Sequence, residues 1–309
     1  MMTADLKKIY VTGVTGFIGS NIALACLKNG YDVVGVCRNS EKTVREELGI
    51  KVIKSDLLSE NNLKFDKAEA IVHCATANDI LSKSARDGLS LSIAGTGNII
   101  ESAIKARIPK IIFFSTAQVY GTELSGHYDE TTATDCKTTY GINHLLGEDL
   151  CNFYCKTKNL DIAVIRPSNV YGVPQISTVS RGTLVPMCFV NEAIEKKSIT
   201  IRSSGKQMRN FVSNDEVADI TLKILSNFPK GFSIINNGSN WCASILEIAN
   251  MIAHSYEKNF KKKININVNG DEPNISNIFN YSSKVLKPSL NASECKNKME
   301  KVIDQLINK

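Results

Sequence analysis

Residues 12–19 read Thr-Gly-Val-Thr-Gly-Phe-Ile-Gly, and Thr12 is also the last residue of a short β-branched run. Gly13, Gly16 and Gly19 therefore have G-x-x-G-x-x-G spacing between a predicted strand and a predicted helix. The first glycine permits a tight turn, the second lets the backbone approach a pyrophosphate, and the third lets helix and strand pack closely. The helix N-terminus directs its amides at the phosphates. The stretch predicts a dinucleotide-binding loop, formed by Gly13, Gly16, Phe17, Ile18 and Gly19.

The short strand-like runs around this loop favour an α/β fold. Six runs have strand character, and helical patterns separate them, as in βαβ units. The predicted strands are Lys8 to Thr12, Asp32 to Cys37, Lys51 to Lys54, Ala70 to Ala75, Lys110 to Ser115 and Asp161 to Ile165. The predicted helices cover residues 17–29, 41–48, 84–107 and 138–157. This order predicts a Rossmann-type, doubly wound parallel sheet, whose ligands bind beyond the carboxyl ends of the strands.

The regular alternation ends near residue 167. Beyond it we predict helices near 183–196, 214–227 and 244–257, and short strands near 198–202 and 232–235. We therefore expect a dinucleotide-binding Rossmann domain over residues 1–167 and a smaller, mixed, mainly substrate-binding region over residues 168–309. No linker of low complexity separates them, so we expect a shared cleft.

Composition excludes several classes of protein. The 309 residues are 43% hydrophobic and 22% charged, with seven prolines, which is typical of a globular chain and not of a disordered or collagenous one. The apolar runs are too short for a membrane helix, and Met1 to Lys8 has no apolar secretion segment. We expect a cytoplasmic protein without a membrane partner.

The cysteines and the net charge indicate neither a metal site nor a nucleic-acid surface. The nine cysteines include no C-x-x-C pair, so we interpret them as reduced thiols and expect no metal. The net charge of +6 is mild and dispersed. It would suit an anionic small substrate better than a nucleic acid.

The end of the second strand bears on the choice of cofactor. An acidic residue that holds the adenosine ribose is usual there, but this chain has Cys37 followed by Arg38. An arginine can bind a 2′-phosphate, so NADP(H) is favoured and NAD(H) remains possible. A solvent-facing Arg38 is the alternative. Asp56 and Leu57, after the third strand, are placed to meet the adenine, although Asp56 could equally cap a helix.

Three further motifs complete a pattern with the glycine loop. They read S-T-A-Q-V-Y-G from Ser115, Y-G-I-N-H-L-L-G-E from Tyr140 and R-P-S-N-V-Y-G from Arg166. In order and spacing, the chain resembles the extended short-chain dehydrogenase/reductase superfamily, in its NAD(P)-dependent branch of nucleotide-sugar epimerases, dehydratases and ketoreductases. The resemblance covers nearly the whole chain. It leaves substrate and reaction open, because one fold hosts many chemistries.

The resemblance implies catalytic roles for Thr116 and Tyr140. Tyr140 matches the tyrosine that moves a proton on the reacting oxygen, and Thr116 matches the hydroxyl residue that hydrogen-bonds that oxygen. The family has a lysine four residues after the tyrosine, where its charge lowers the tyrosine pKa and its ammonium holds the nicotinamide ribose. Here His144 replaces it. A neutral imidazole would still hydrogen-bond the ribose but would stabilise a phenolate less.

The resemblance also implies further cofactor and substrate contacts. Ala75 and Ser168, with Tyr140 and His144, are expected at the cofactor. Residues 205–212 are similar to a segment in which Arg209 matches the arginine that clamps a nucleotide diphosphate, with Asn210 in place of the usual aspartate. Thr116, Gln118 and Asn169 are expected at the same substrate.

We therefore expect an NADP(H)-dependent oxidoreductase that reduces a keto group of a nucleotide-diphosphate sugar, or oxidises the alcohol. A nucleotide-sugar epimerase with tightly bound NAD is the alternative. A different alternative is a catalytically degenerate homologue that only binds the cofactor. Dehydratases have an Asp-Glu pair where this chain has Ala117 and Gln118, so dehydration is not expected. A homodimer through helices 84–107 and 138–157 is a family expectation.

Overall fold

The computed structural model describes residues 7–59, 63–179, 182–270 and 279–309. The first six residues of the segment Met1 to Lys8, in which no secretion signal is expected, lie outside the described residues. No helix in the described ranges is long and apolar enough to cross a membrane.

The described elements follow one another as strands and helices along the whole chain. The strands are β1 (Lys8–Thr12), β2 (Asp32–Cys37), β3 (Lys51–Lys54), β4 (Ala70–His73), β5 (Lys110–Phe114), β6 (Gly126–Tyr128), β7 (Asp161–Pro167), β8 (Asn169–Tyr171), β9 (Ser198–Ile201), β10 (Met208–Ser213), β11 (Phe232–Asn237), β12 (Cys242–Ser244), β13 (Asn265–Val268) and β14 (Phe279–Tyr281). The α-helices are α1 (Phe17–Lys28), α2 (Glu41–Leu48), α3 (Ala85–Leu89), α4 (Thr96–Lys105), α5 (Thr139–Lys158), α6 (Met187–Lys196), α7 (Asn214–Ser226), α8 (Ile245–Phe260) and α9 (Ala292–Ile307).

The centre of the molecule is a seven-stranded parallel sheet. Its strand order is β11-β7-β5-β4-β1-β2-β3, with every neighbouring pair parallel. The order reverses between β1 and β4, which is the switch point of a doubly wound sheet and the place where such folds bind ligands. The predicted Rossmann-type fold is confirmed, and all six predicted strands are present in the sheet.

Side chains of the sheet bury both of its faces. Ile9 and Val11 of β1 belong to one apolar cluster, whereas Tyr10 between them belongs to the other. Neighbouring residues of β5 alternate in the same way, with Ile112 in the first cluster and Phe113 in the second. Helices must therefore cover both faces, since successive strand residues point to opposite sides.

The seventh strand, β11, was not predicted as part of this sheet. It comes from the C-terminal half of the chain and pairs with β7 from Phe232↔Ile162 to Asn237↔Pro167. Helix α7, also from that half, packs against α1, where Asn21 Nδ2 donates to the Asn214 carbonyl at 2.7 Å. Elements from both halves therefore build the sheet layer. That residues 1–167 bind the dinucleotide and residues 168–309 mainly bind the substrate stays a prediction.

The helix predicted over residues 84–107 has an irregular centre. Helices α3 and α4 are joined by a π-helical segment at Ser90–Gly95, so the pattern is helical but not uniformly α-helical. Helix α5 matches its prediction to within one residue at each end. It begins where the Thr138 side chain accepts from the Gly141 N–H, and it is followed by Asn159 in the left-handed conformation.

Several elements of the C-terminal half form a smaller unit with an apolar cluster of its own, and β14 pairs separately with β6. Strands β12, β10 and β8 make a three-stranded sheet, and β13 pairs with β9. A third apolar cluster, which includes Phe211, Ile248 and Ile303, joins these strands to α6, α8 and α9. Ser213 and Ser244 form capping boxes with Glu216 and Glu247, which explains where α7 and α8 begin.

Candidate active site

The glycine loop joins β1 to α1 with very little free space. Gly13 has φ of +66°, and a Cβ there would come within 2.8 Å of the Ala75 nitrogen. A Cβ at Gly19 would overlap the Gly13 carbonyl oxygen. The predicted reasons for a tight turn at Gly13 and close packing at Gly19 are therefore present in the backbone itself.

The N-terminus of α1 opens into a cavity of about 410 Å³. Its N-cap residue is Gly16, which has no side chain to accept from the first backbone amides of the helix. Gly16, Phe17, Ile18 and Gly19 all line this cavity. Open amides at a helix N-terminus bind phosphate groups, so this part of the structure fits the pyrophosphate of a dinucleotide.

A second cavity of about 610 Å³ lies at the carboxyl ends of β2 and β3. It is lined by the three residues that were predicted for the adenosine end, namely Arg38, Asp56 and Leu57, and by Ala75, which was predicted to contact the cofactor. Arg38 is exposed, and Asp56 Oδ1 accepts from the Leu58 N–H at 3.0 Å, which closes a turn after β3. Asp56 therefore caps a local turn rather than a helix.

The two cavities share Thr76 and Asn78, which follow β4. Neither residue was singled out from the sequence. Their position directly after a strand could have indicated them, because loops at the carboxyl edge of a parallel sheet contact ligands at the switch point. The two cavities therefore adjoin at the loop that follows β4.

One cavity brings together every residue that was predicted for catalysis and substrate binding. Thr116, Gln118, Tyr140, His144, Ser168, Asn169 and Arg209 all line the cavity that contains the glycine loop. They come from four separate segments of the chain. Their contact with cofactor or substrate stays a prediction.

Tyr140 and His144 lie one helical turn apart on α5. Their ring centroids are 4.6 Å apart, with the ring planes inclined by 67° in an edge-to-face arrangement. The spacing of i and i+4 places both side chains on one face of the helix. That face is turned toward the cavity, so the predicted pairing of these two groups is present.

His144 is 2% exposed, and no described group lies in hydrogen-bonding geometry with either ring nitrogen. Burial lowers the pKa of His144 to about 4, an effect that the backbones of Ala77 and Phe114 partly oppose. The imidazole is therefore neutral near pH 7. It has one donor nitrogen and one acceptor nitrogen but no positive charge.

A second buried histidine, His73, lies behind the site at the end of β4. Its Nδ1 is 2.6 Å from Thr12 Oγ1 and its Nε2 is 3.1 Å from Thr96 Oγ1. Burial, with a smaller contribution from His144, lowers the pKa of His73 to about 3. Because both nitrogens have partners, His73 acts as a core histidine that joins β4 to β1 and α4.

Thr116 follows β5 and is 7% exposed. Its Oγ1 accepts from the Gln118 N–H at 3.2 Å, so the hydroxyl proton is available to a group in the cavity. Gly141 lies against the same turn, since a Cβ there would come within 2.7 Å of the Gln118 carbonyl oxygen. Close packing of α5 on this turn brings Tyr140 and Thr116 to the same cavity.

A buried ion pair supports this wall of the site. Glu148 of α5 is bound by two nitrogens of Arg166, with the Nε–Oε1 distance at 2.9 Å, and it also accepts from Ser115 Oγ. Arg166 Nη1 donates to the Tyr120 hydroxyl at 2.7 Å. Both charged residues occur in the motifs, but their pairing was not predicted, because the sequence alone does not place α5 beside β7.

Arg209, on β10, lines the same cavity. Burial lowers the pKa of Arg209, and the charge of Glu123 opposes that change, but a guanidinium stays protonated in proteins. Asn169 Nδ2 donates to the Asn210 carbonyl at 2.9 Å. The buried Asn210 side chain accepts from Ser168 Oγ at 2.8 Å and from the Ser239 N–H at 2.9 Å. Asn210 therefore joins β10 to the neighbouring loops.

Relatives of this chain are nucleotide-sugar enzymes. The chain is 26% identical over 268 residues to a UDP-N-acetyl-alpha-D-glucosaminuronate decarboxylase of Bacillus cytotoxicus, and the matched region covers 82% of each protein. It is 25% identical over 258 residues to the human dTDP-D-glucose 4,6-dehydratase, and the matched region covers 79% of this chain and 72% of that protein.

A solved structure with the same fold is the UDP-glucuronic acid 4-epimerase of Bacillus cereus in complex with UDP-glucuronic acid and NAD. It has a TM-score of 0.78 and 26% identity, and the match covers 97% of this chain and 99% of that chain. The model of the NAD dependent epimerase/dehydratase family matches residues 9–238. The chain therefore belongs to the NAD dependent epimerase/dehydratase family, and the resemblance in its four motifs reflects membership.

Proposed function

We propose that this enzyme is an NADP(H)-dependent oxidoreductase that reduces a keto group on the sugar of a nucleotide-diphosphate sugar. The observation that carries the proposal is one cavity with three functional parts. The glycine loop, the hydroxyl residues Thr116 and Tyr140, and the cationic Arg209 all line this cavity. A dinucleotide and a second diphosphate ligand would therefore meet beside a hydroxyl pair.

The two hydroxyl residues would supply a proton and hold the reacting oxygen. The nicotinamide, when bound, supplies the hydride for the sugar carbon. The carbonyl oxygen then needs a proton, which Tyr140 donates, while Thr116 donates a hydrogen bond that positions the same oxygen. Arg209 would bind the substrate diphosphate, because its planar guanidinium can donate two parallel hydrogen bonds to phosphate oxygens.

His144 favours the reductive direction. A free tyrosine has a pKa of about 10, so oxidation near neutrality needs a nearby cation to stabilise the phenolate. The neutral, buried His144 does not supply that charge. Reduction starts from protonated Tyr140, which a neutral neighbour allows, and the phenolate that forms when Tyr140 donates its proton then takes up a proton from solvent. His144 would instead hydrogen-bond the nicotinamide ribose with its unpartnered nitrogens.

The cofactor preference rests on Arg38. The cavity at the end of β2 has Arg38 at its rim and the thiol of Cys37 where a ribose-binding carboxylate is usual. A carboxylate there would repel a 2′-phosphate, whereas an arginine attracts it. A charge-assisted hydrogen bond contributes about 1.5–3 kcal/mol, so Arg38→Ala should weaken NADP(H) binding roughly tenfold or more and leave NAD(H) binding nearly unchanged.

Epimerisation through a transient ketone is the second candidate. It is favoured by the Bacillus cereus epimerase, which was solved with NAD and shares 26% identity over 97% of this chain. Dehydration is not favoured, because Ala117 and Gln118 lack the two carboxyl groups that it needs. The Gln118 side chain instead lies 3.3 Å from Thr138 Oγ1 at the start of α5.

Two assays on the full chain separate the candidates. One follows NADPH absorbance with 4-keto nucleotide sugars, and the other follows UDP-sugars by chromatography for epimers. A ketoreductase consumes NADPH in proportion to product, whereas an epimerase interconverts sugars without net loss of cofactor. Tyr140→Phe should abolish turnover and spare cofactor binding. Native rates in Tyr140→Phe would overturn the mechanism, and binding without turnover in both assays would favour a degenerate homologue.

We also propose a homodimer in the cytoplasm, formed through α5 and the helical segment from Ala85 to Lys105. Exposed apolar side chains on these elements, among them Leu89, Ile142 and Phe153, support it, because a helix pair that buries them would remove apolar surface from water. Light scattering coupled to size-exclusion chromatography measures the oligomeric state. Phe153→Glu should shift the protein from dimer toward monomer.

A further inference from the structure

The hydroxyl of Ser55 has no hydrogen-bond partner among the residues that the structure describes. Ser55 is 5% exposed and directly follows β3. Its backbone N–H donates to the Cys37 carbonyl at 2.9 Å, which holds the residue beside the end of β2. A buried hydroxyl without a partner is destabilising, so its presence calls for a ligand or another explanation.

Ser55 lines the same 610 Å³ cavity as Arg38. Charged side chains of both signs line this cavity, with Arg38 and Lys83 as the basic residues and Asp56 and Asp87 as the acidic ones. Cys37 contributes a thiol whose pKa is raised by burial, so it remains uncharged. Of the two oxygens of Asp56, Oδ1 already accepts from the Leu58 N–H. The carboxyl end of β2 therefore presents the Arg38 cation and an uncharged thiol where a carboxylate that selects an unmodified ribose is usual, and the Asp56 carboxylate lies after β3 in the same cavity.

We propose that Ser55 is a specificity-determining residue whose Oγ–H donates a hydrogen bond to the 2′-phosphate of the adenosine ribose, together with Arg38. The inference rests on the proposed NADP(H) preference and extends it to a second residue. A phosphate monoester has several acceptor oxygens, so it can accept from the Arg38 guanidinium and the Ser55 hydroxyl at once. Binding would then satisfy the hydroxyl that the protein alone leaves unpaired.

Adenosine fragments test the proposal without turnover. Titration calorimetry on the full chain compares 2′,5′-ADP, which has the 2′-phosphate, with 5′-AMP, which lacks it. A hydrogen bond to a charged group is strong enough that Ser55→Ala should weaken 2′,5′-ADP binding about tenfold. The affinity for 5′-AMP should stay within about twofold of the native value.

Ser92 provides a matched control. It is also a buried serine whose hydroxyl has no partner among the described residues, but it does not line this cavity. Ser92→Ala should leave the affinity for both fragments unchanged. Because Ser55→Ala removes an unpaired hydroxyl, the melting temperature of this variant without ligand should be at or above that of the native chain. If Ser55→Ala does not fold, Ser55→Gly is used in its place.

The outcomes separate the two proposals. If native protein prefers 2′,5′-ADP and Ser55→Ala retains the full preference, the role of Ser55 is wrong and the NADP(H) preference stands. If native protein binds both fragments equally, the preference itself is wrong, and the role of Ser55 falls with it. Equal weakening of both fragments by Ser55→Ala would also overturn the proposal, since it would place the hydroxyl away from the 2′-phosphate.

Discussion

At the scale of single residues, burial decides the charge of the two histidines near the site. The pKa values of His73 and His144 are lowered to about 3 and about 4, mainly by burial. In the unfolded chain both groups return to about 6.5. Between these values the unfolded state binds more protons than the folded state, so stability falls as the pH falls from about 6.5 toward 4.

We therefore predict a steep acid loss of stability to which His144 contributes. In His144→Leu, the slope of the unfolding free energy against pH between 6.5 and 4 should decrease by up to about 1.4 kcal/mol per pH unit, the value for one proton. Urea unfolding at a series of pH values measures it. His127→Gln changes an exposed histidine and should keep the native slope. An unchanged slope in His144→Leu would contradict the interpretation that the His144 imidazole is neutral in the folded protein.

A second prediction at this scale concerns Arg209. If its guanidinium binds the substrate diphosphate, Arg209→Ala should raise the substrate KM at least tenfold and leave NADP(H) affinity within about twofold, because a hydrogen bond to a charged group contributes about 1.5–3 kcal/mol. Steady-state kinetics and fluorescence titration measure the two quantities. Arg202→Ala removes an exposed arginine from the loop after β9 and is the control. Equal loss of cofactor affinity in Arg209→Ala would show that the segment does not face the substrate.

At the scale of an element, the contact of α1 with β1 depends on two glycines. Gly13 makes the turn, and Gly19 lets the first turn of the helix lie against the Gly13 carbonyl. The amides that would bind the pyrophosphate are placed by this contact. The helix cannot move away without losing the contact between Asn214 Nδ2 and the Phe17 carbonyl, at 3.0 Å.

Gly19→Ala should therefore be destabilising and should weaken dinucleotide binding. The added methyl group overlaps backbone rather than a flexible side chain, and such overpacking costs about 1–3 kcal/mol. Thermal unfolding and a fluorescence titration with the dinucleotide measure both effects. Gly97→Ala is the matched control in α4, where a Cβ would meet, among the residues that the structure describes, only Leu150 Cδ2 at 3.8 Å. It should be neutral or stabilising by up to about 1 kcal/mol. A native-like Gly19→Ala would contradict the packing role.

At the scale of the whole molecule, one buried polar network joins both halves of the chain. The Arg166 guanidinium binds Glu148 and the Tyr120 hydroxyl, and the Arg166 carbonyl accepts from the Tyr281 hydroxyl at 2.8 Å. The Tyr120 and Tyr281 hydroxyls each lie 3.0 Å from Asn236 Oδ1 on β11. The network thus connects α5 and β7 with two strands of the C-terminal half, directly behind the candidate active site.

We predict that Arg166→Met lowers the unfolding free energy by about 3–5 kcal/mol, because it leaves the Glu148 carboxylate buried and unpaired. The double variant Glu148→Leu/Arg166→Met should recover part of that loss. Equilibrium urea unfolding measures both. Lys258→Met breaks a more exposed pair with Asp304 and should cost less than about 1 kcal/mol. If Arg166→Met cost no more than Lys258→Met, the network would not stabilise the molecule.

Local patterns in the sequence determined the elements and most of the candidate site. The alternation and spacing that produce strands and helices act over a few residues, so β1 to β5, β7, α2 and α5 could be predicted nearly to their ends. The four motifs identified the family for the same reason. They also named residues that line two adjoining cavities, although what each residue binds stays a prediction.

Only the tertiary structure decided features that depend on residues far apart in the sequence. The addition of β11 to the sheet, the pairing of Glu148 with Arg166 and the unpaired hydroxyl of Ser55 each require knowing which segments become neighbours. The charge of His144 belongs to the same group. Its pKa depends on how completely other elements exclude water from the imidazole, and the residues next to His144 in the sequence do not determine that exclusion.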